Sequence, residues 1–119
     1  MIETIIREYL EGALSGVPVF LEMPSVPDEE LPTEFVLIQR IAGSKTNHID
    51  FASFAFQSYS TQSMYNSAVL DEDVRQAMEQ AVTLDSISSA RLASNYSFTN
   101  TQTKRYRYQA VYDIYYYGG

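Results

Sequence analysis

The sequence predicts an α+β domain, in which a mainly antiparallel sheet of four to five strands has two helices packed on one face, in the order α-β-β-β-α-β-β. Two stretches carry apolar residues at three- and four-residue spacing, which is typical of helices with one buried side. The strand-like stretches, rich in β-branched and aromatic residues, are 19–21, 34–42, 48–59, 89–98 and 104–117. Short polar turns join the longer strands, and a chain of 119 residues suits a single domain spanning residues 1–119.

The first helix is predicted over residues 2–15, ending where Gly16 supplies a left-handed cap. Its buried half would carry Ile2, Ile5, Ile6, Tyr9, Leu10, Ala13 and Leu14. A Val-Pro pair then favours extended backbone and leads into the short strand at residues 19–21. Three prolines and an acidic run make residues 23–32 an exposed loop, because proline cannot donate to a ladder of hydrogen bonds.

A hairpin is predicted next, with strands at residues 34–42 and 48–59 and a turn at residues 43–47. The first strand is apolar at most positions, and the second has apolar side chains on both faces. Such strands need cover on both sides. We therefore expect a helix on one side and a neighbouring copy of the chain on the other.

The second helix is predicted over about residues 61–82, capped by a hydroxyl at its start. Its apolar stripe consists of Met64, Ala68, Leu70, Val74, Ala77, Met78, Ala81 and Val82. Asp71 falls inside the same arc, and the sequence offers no reason for a carboxylate there. A connector at residues 84–88, a strand at 89–98 and a polar turn at 99–103 lead to the last strand.

The last strand, residues 104–117, has the clearest alternation of the chain. One face carries Tyr106, Tyr108, Ala110, Tyr112, Ile114 and Tyr116, and the other carries Arg105, Arg107, Gln109, Val111, Asp113, Tyr115 and Tyr117. At full extension this strand would reach about 46 Å, whereas a compact chain of this length has a diameter of roughly 35 Å. A strand that overhangs its own domain indicates a function based on contact with other chains.

The formal net charge of −7 argues against general nucleic-acid binding, since duplex binding depends on neutralising phosphates with Lys and Arg. Acidic residues cluster at 22–34 and 71–73, and basic residues at 104–107. These clusters are either solvated surface or patches that meet between neighbouring copies. The chain contains no cysteine, and we expect neither a secretory signal nor a membrane-spanning segment.

The sequence predicts no enzymatic activity, no cofactor and no metal site. His48 and Asp50 stand two apart on one strand face, but a zinc site needs three or four ligands and the chain has one histidine. No G-x-S-x-G motif accompanies that histidine, which argues against a catalytic triad. The alternative is a small-molecule-binding module with a pocket between sheet and helices, lined by Phe51, Phe54, Phe56 and tyrosines.

Three stretches carry a resemblance to a known family. They are the amphipathic start into V-P-V at 17–19, the strand from H-I-D to Q-S-Y at 48–59, and N-Y-S-F at 95–98 leading to T-K-R-Y-R-Y-Q-A-V-Y-D at 103–113. In pattern and element order, over almost the whole chain, the sequence resembles the tail terminator and tail-completion proteins of long-tailed phages and prophages. The resemblance implies a subunit of a hexameric ring that caps the tail tube, stops its polymerisation and joins tail to head.

The partners implied by this resemblance are other copies of the chain, the tail tube protein and the head connector protein, with no nucleic acid and no membrane. The implied location is the virion tail, after assembly in the host cytoplasm. A head-tail connector, or neck, protein of the same assembly is an alternative interpretation of the same resemblance.

The expected contact residues form two groups. The residues expected to meet an adjacent subunit are Lys104, Arg105, Tyr106, Arg107, Tyr108, Tyr115 and Tyr117. A closed ring requires two unlike patches on each copy, and the basic and acidic segments of this chain would supply them. The turn at residues 43–47, which carries Lys45 beside Arg40, is expected to face the tube channel or the tube protein. His48 and Asp50 are also expected at a contact with a subunit or partner.

Overall fold

The computed structural model describes residues 2–27, 30–46, 49–97 and 106–117, and the backbone alone at residues 44–46 and 49. The predicted α+β class and element order are confirmed. The elements are α1 (Ile2–Ala13), β1 (Val19–Phe20), β2 (Glu34–Thr46), β3 (Ile49–Ser60), α2 (Met64–Glu79), a 3-10 helix (Ala81–Thr83), β4 (Ile87–Ser97) and β5 (Tyr106–Tyr117).

The five strands form one sheet in the order β1-β2-β3-β5-β4. Strand β1 runs parallel to β2, and all other neighbours are antiparallel, so the sheet is mixed. Strand β5 lies between β3 and β4, and Gln57 on β3 stands opposite Gln109 on β5. The last strand of the chain is therefore an interior strand of the sheet, paired on both sides.

Both helices pack on one face of the sheet, as predicted. Helix α1 buries Ile2, Ile6 and Leu10 there. The sheet contributes alternate side chains of β3 and β5 to the same core, namely Ala52, Phe54, Phe56, Ala110, Tyr112, Ile114 and Tyr116. Phe56 and Tyr112 meet edge to face with ring centroids 5.7 Å apart. The main core thus lies between the helices and one face of the sheet.

Small polar side chains allow the start of α2 to approach the sheet closely. Ser58, Ser60 and Ser67 are fully buried, and Ser67 Oγ donates to the carbonyl oxygen of Ser58 at 2.9 Å. Ser63 caps the helix by accepting a hydrogen bond from the Asn66 amide at 3.0 Å. The hydroxyl cap was predicted, but it lies a few residues later than expected.

Several predicted boundaries are wrong. Residues 43–46 belong to β2, not to a turn, and a bulge between Arg40 and Ala42 leaves Ile41 as the extra residue. Helix α2 ends at Glu79, and the following 3-10 helix has a different period. Val82, predicted on the buried stripe, is consequently 50% exposed.

The domain is elongated, with principal dimensions of 45 × 25 × 25 Å. Strand β5 would span about 40 Å when extended, and β3 pairs with it from Tyr106 to Tyr117. Over the described residues the last strand therefore spans the domain and does not overhang it, so that expectation is corrected. No helix in the described part of the chain is long and apolar enough to cross a membrane.

Candidate interaction surface

The sheet face opposite the helices is called here the open face. It is formed by strand positions that alternate with the core positions, and its main members are Gln39, Ser53, Ala55, Gln57, Arg91, Tyr96, Arg107, Gln109, Val111, Asp113, Tyr115 and Tyr117. The buried residues of both helices cluster with the opposite face. Within the described residues, neither helix covers the open face.

One end of this side of the sheet is covered by the segment that joins β1 to β2. Phe35, Leu37 and Tyr59 form a second buried cluster, against which Phe20 and Leu31 pack. The rings of Phe35 and Tyr59 are stacked with centroids 4.7 Å apart. Among the described residues beyond this cluster, the open face is exposed mainly on β2, β4 and the end of β5, at Gln39, Arg91, Tyr96, Tyr115 and Tyr117, whereas Ser53, Ala55 and Gln57 on β3 are buried.

A row of hydrogen-bonded polar side chains crosses the middle of the open face. Gln57 Nε2 donates to Gln39 Oε1 at 3.3 Å and to Gln109 Oε1 at 3.0 Å. Gln109 Nε2 in turn donates to the hydroxyl of Tyr96 at 2.6 Å, and the hydroxyl of Tyr59 donates to Gln57 Oε1 at 3.0 Å. The row links β2, β3, β5 and β4 and orders their side chains before any partner arrives.

Cationic side chains flank this row. Arg107 Nη1 donates to the Tyr59 hydroxyl at 2.9 Å, and its guanidinium lies 5.5 Å from the centroid of the same ring. Exposed Arg91 on β4 stands opposite Asp113 on β5, whose Oδ1 accepts a hydrogen bond from Ser53 at 2.6 Å. Asp113 is the one carboxylate on the described open face.

The end of the open face beyond the polar row is aromatic. Phe51 and Tyr115 are in contact with ring centroids 5.0 Å apart. Tyr115 is 43% exposed and Tyr117 is 54% exposed. Large rings with a polar tip are enriched at protein interfaces, because the ring can be buried while the hydroxyl keeps a hydrogen bond.

The outer surface of the helices has the opposite charge. The exposed carboxylates of α1 and α2 are Glu8, Glu11, Glu72, Asp73 and Glu79. The basic residues of these helices are Arg7 and Arg75, and both are paired with an acidic residue four positions earlier or later, at 2.6 Å and 2.9 Å. The exposed carboxylates of the two helices thus give their outer surface an acidic character.

Asp71, unexplained by the sequence, is a buried link between α2 and β4. Its carboxylate accepts hydrogen bonds from Arg75 Nε at 2.9 Å and from Asn95 Nδ2 at 3.1 and 3.0 Å. The hydrogen bond that Arg75 donates to Asp71 raises the pKa of Arg75. Burial raises the pKa of neighbouring Tyr112 to about 12, so this phenol stays neutral inside the core.

The structure divides the expected contact residues between the two faces. Arg107, Tyr115 and Tyr117 lie on the open face, whereas half-buried Tyr106 and Tyr108 lie on the helix side. Lys104, Arg105 and His48, and the side chain of Lys45, fall outside the described residues.

Arg40 and Asp50 are both on the helix side of the sheet. Arg40 Nη1 lies 3.4 Å from Glu3 Oε1 on α1, and Asp50 is buried with 8% of its surface exposed. The polar row and Arg91 were not among the expected contact residues. The alternation of β5 placed Gln109 on this face, but nothing in the sequence paired it with Gln39, Gln57 or Tyr96.

The prediction of a ligand pocket lined by Phe51, Phe54 and Phe56 is wrong. Phe54 and Phe56 are fully buried in the core, and Phe51 lies on the opposite face of the sheet. A cleft of about 520 Å³ exists elsewhere, between the ends of the two helices, with Tyr9, Leu14, Ser15, Asp73, Gln76 and Gln80 among its lining residues. The described residues contain no cluster of three or more potential metal ligands among His, Cys, Asp and Glu.

Comparison with solved structures gives an informative likeness. The fold is shared with a virion chain. That chain belongs to the solved structure described as the virion of a native gene transfer agent (GTA) particle, and it superposes with a TM-score of 0.61. The match covers 96% of this protein and 85% of the virion chain at 12% sequence identity, which is evidence for a common fold. No family model and no curated protein matches the sequence.

Proposed function

We propose that this protein is a structural, non-enzymatic subunit of a phage-type virion. In this proposal it forms an oligomeric ring, with six copies as the expected number, that caps the tail tube, ends tube polymerisation and joins the tail to the head. The observation that carries the proposal is the open face, a sheet surface left bare by the protein's own helices. The fold shared with a virion chain supports the same role.

The composition of the open face suits contact with protein. Tyr96, Tyr115 and Tyr117 are each more than two-fifths exposed. The polar row holds its amides in fixed positions through mutual hydrogen bonds, which reduces the conformational entropy lost when a partner binds. A surface that combines ordered amides with exposed aromatic rings is typical of an interface core with a polar surround.

The chain also meets a geometric requirement of rings. A heterologous contact joins one patch of a copy to a different patch of the next, and it closes when the rotation between copies allows. The aromatic open face and the acidic outer surface of the helices are unlike patches on different sides of the sheet. Each copy therefore offers both halves of such a contact.

The test combines assembly mass with tube growth. The purified chain is examined by native mass spectrometry and electron microscopy, alone and with a phage tail tube protein. We expect rings of one defined copy number and tubes that stop growing once a ring is bound. A chain that stays monomeric with the tube protein and leaves tube growth unchanged would exclude the proposal. Binding to the head connector without any effect on the tube would assign the neck role.

A small-molecule-binding module is the second candidate, and the cleft between the helix ends favours it. Its size falls within the range of ligand pockets in proteins. A thermal-shift screen against a metabolite library separates the two functions. Stabilisation of a monomer by a compound, lost in Gln76→Trp, which would fill the cleft, supports the module.

A further inference from the structure

We propose that the free edge of β4 in one copy pairs with the free edge of β2 in the next copy, so that one sheet continues around the ring. This inference rests on the proposed ring and names its subunit contact. An edge strand presents unpaired backbone N–H and C=O groups, which makes it a template for pairing with a further strand. The occupant of each edge is thus a second copy of this chain.

Both edges of the sheet are free over long stretches. In the described part of the chain, β4 pairs with β5 on one side and with no strand on the other. Strand β2 pairs with β1 at Val36 and Leu37, and its later described residues have no strand on that side. Ile41 on β2 is 55% exposed and Leu92 on β4 is 47% exposed. An edge contact would bury part of both apolar side chains.

The two free edges lie at the same position along the strand direction. Across β3 and β5, Ile38 of β2 is level with Asn95 of β4, and Gly43 of β2 is level with Ala90 of β4. Copies placed side by side, with their strands along the ring axis, therefore bring these two stretches together without a shift. A head-to-tail contact closes into a ring only without such a shift, since otherwise it generates an open helix.

The bulges in the two edge strands preserve this match. A bulge adds one residue to its strand, and the added residues are Ile41 in β2 and Ala93 in β4. Residues 38–43 and residues 90–95 therefore each have one extra residue over the same stretch of β5, residues 110–114. The two edges are thus equal in length. Strand β1 limits the contact at one end, because it occupies the side of β2 that precedes residue 38.

The backbone of β2 directs alternate residues towards the free edge. The Val36 amide donates to the carbonyl oxygen of Pro18 at 3.0 Å, so the backbone groups of Val36 point away from β3. Successive residues of a strand bond to alternate sides. Ile38 and Arg40 therefore also direct their N–H and C=O groups away from β3, to the side where β1 has ended.

The backbone of β4 has the matching alternation. The Tyr117 amide donates to the carbonyl oxygen of Ser86 at 2.9 Å, so Tyr117 of β5 is turned towards the β4 side. By alternation, the β5 residues opposite Leu92 and Asn95 are turned towards β3. Leu92 and Asn95 therefore direct their own backbone groups outward. They are level with the two outward residues of β2, as a hydrogen-bonded strand pair requires.

Strand direction and side-chain faces agree as well. Strand β4 runs opposite to β2, so the contact is antiparallel, which is the more stable arrangement. Helix-side positions meet helix-side positions, which keeps the helices of every copy on one side of the ring wall. Arg40 is on the helix side and Arg91 is on the open face, so these two cations do not oppose each other. The edges are thus the subunit contact, and the open face remains for the tube protein.

A disulfide tests this contact directly, because the chain contains no cysteine. Gln39 and Ser94 are level at opposite edges of the sheet, which places them about 14 Å apart within one copy. Across the contact they form a non-hydrogen-bonded pair about 4.5 Å apart, and a disulfide spans only this shorter distance. Gln39→Cys with Ser94→Cys, oxidised with a phage tail tube protein present, should give a covalent ladder up to the full ring on a non-reducing gel.

The matched control moves one cysteine along the same strand. Ser89 lies on the same face of β4 as Ser94 but about 13 Å further along the sheet, so Gln39→Cys with Ser89→Cys should give no ladder. Rings seen by native mass spectrometry without a ladder above this control overturn the edge contact and leave the ring as a proposal. A covalent dimer of Ser94→Cys alone also overturns it, because that dimer would pair two β4 edges.

Proline at Leu92 tests the backbone hydrogen bonds of the contact. Proline is tolerated on an edge strand where its missing N–H faces outward, so Leu92→Pro should fold by circular dichroism, while its ring should dissociate about tenfold more readily. Leu92→Thr keeps the amide and should assemble as wild type does. A folded Leu92→Pro that assembles as wild type does overturns the edge contact. A wild-type chain that forms no ring with the tube protein instead removes the proposed function itself.

Discussion

Asn95 donates its side-chain amide to both carboxylate oxygens of Asp71, at 3.1 and 3.0 Å, and so ties the edge strand β4 to α2. The same amide also reaches the carbonyl oxygen of Gln109 at 3.2 Å. Because Asp71 is fully buried, its carboxylate depends on Asn95 and Arg75 for hydrogen bonds. One exposed residue on an edge strand thereby supports a charge inside the core.

Replacing Asn95 with alanine should lower the free energy of unfolding by about 1–3 kcal/mol, because a buried charged acceptor loses its amide donors. Urea unfolding followed by circular dichroism measures the loss. Ser94→Ala, at the exposed neighbouring position, serves as the control and should change stability by less than about 0.5 kcal/mol. Equal effects of the two substitutions would show that the amide does not support Asp71.

Tyr112 makes the free energy of unfolding depend on pH in the alkaline range. Its pKa is raised by burial to about 12, while an unfolded tyrosine ionises near 10.0. The contribution of Tyr112 to stability is fully present below the pKa of the unfolded state. It is lost as the pH rises towards the pKa of the folded state, because in this range only the unfolded state releases the phenol proton. The expected slope is about 1.4 kcal/mol per pH unit in that window.

Urea unfolding of wild type and Tyr112→Phe across that window isolates this slope. The phenylalanine variant should lose the part of the pH dependence that Tyr112 contributes. Tyr115→Phe, an exposed position of the same strand, is the control and should follow the wild type. A Tyr112→Phe curve parallel to wild type would contradict the assignment.

The serines beneath α2 should respond in opposite directions. Among the described residues Ser58 Oγ is buried without a hydrogen-bond partner, so Ser58→Ala should be neutral or stabilising by up to about 1 kcal/mol. Ser67→Ala removes the bond to the Ser58 carbonyl and should cost about 0.5–1.5 kcal/mol. Thermal unfolding compares them directly, and a destabilising Ser58→Ala would show that its hydroxyl does have a role.

The polar row should be sensitive to the identity of its central donor. In Gln57→Glu, a carboxylate would face the Oε1 atoms of Gln39 and Gln109 with no proton to donate. We expect a loss of about 1–3 kcal/mol at neutral pH, partly recovered in acid as the carboxyl group protonates. Gln80→Glu makes the same chemical change at an exposed site and should have little effect. A Gln57→Glu protein as stable at neutral pH as in acid would rule out this arrangement.

The features that the sequence predicted correctly are those that depend on the local pattern of apolar and polar residues. The alternation along β5 assigned Arg107, Tyr115 and Tyr117 to the face opposite Tyr112, and the structure confirms that division. The two helices and the element order followed from apolar periodicity in the same way. These features depend on residues a few positions apart, so a single sequence contains them.

Features that depend on distant partners were not predictable. Asp71 is held by Asn95, 24 residues further along the chain on another element, and no periodicity links the two. The same applies to the row that Gln57 forms with Gln109, 52 residues away. The β2 bulge at Ile41 shifts the register by one residue, and the sequence 34–46 has no glycine or proline at that position to indicate it.

The 45 × 25 × 25 Å shape has a consequence for how a single copy moves in solution. A rod nearly twice as long as it is wide rotates faster about its long axis than end over end. Strand β5 is about 40 Å long when extended, so it runs close to the 45 Å axis and its amide bonds point across that axis. Nitrogen-15 relaxation rates of these amides in the monomer should therefore differ from those of amides whose bonds point along the axis, and that difference would disappear in a ring whose rotation is nearly isotropic.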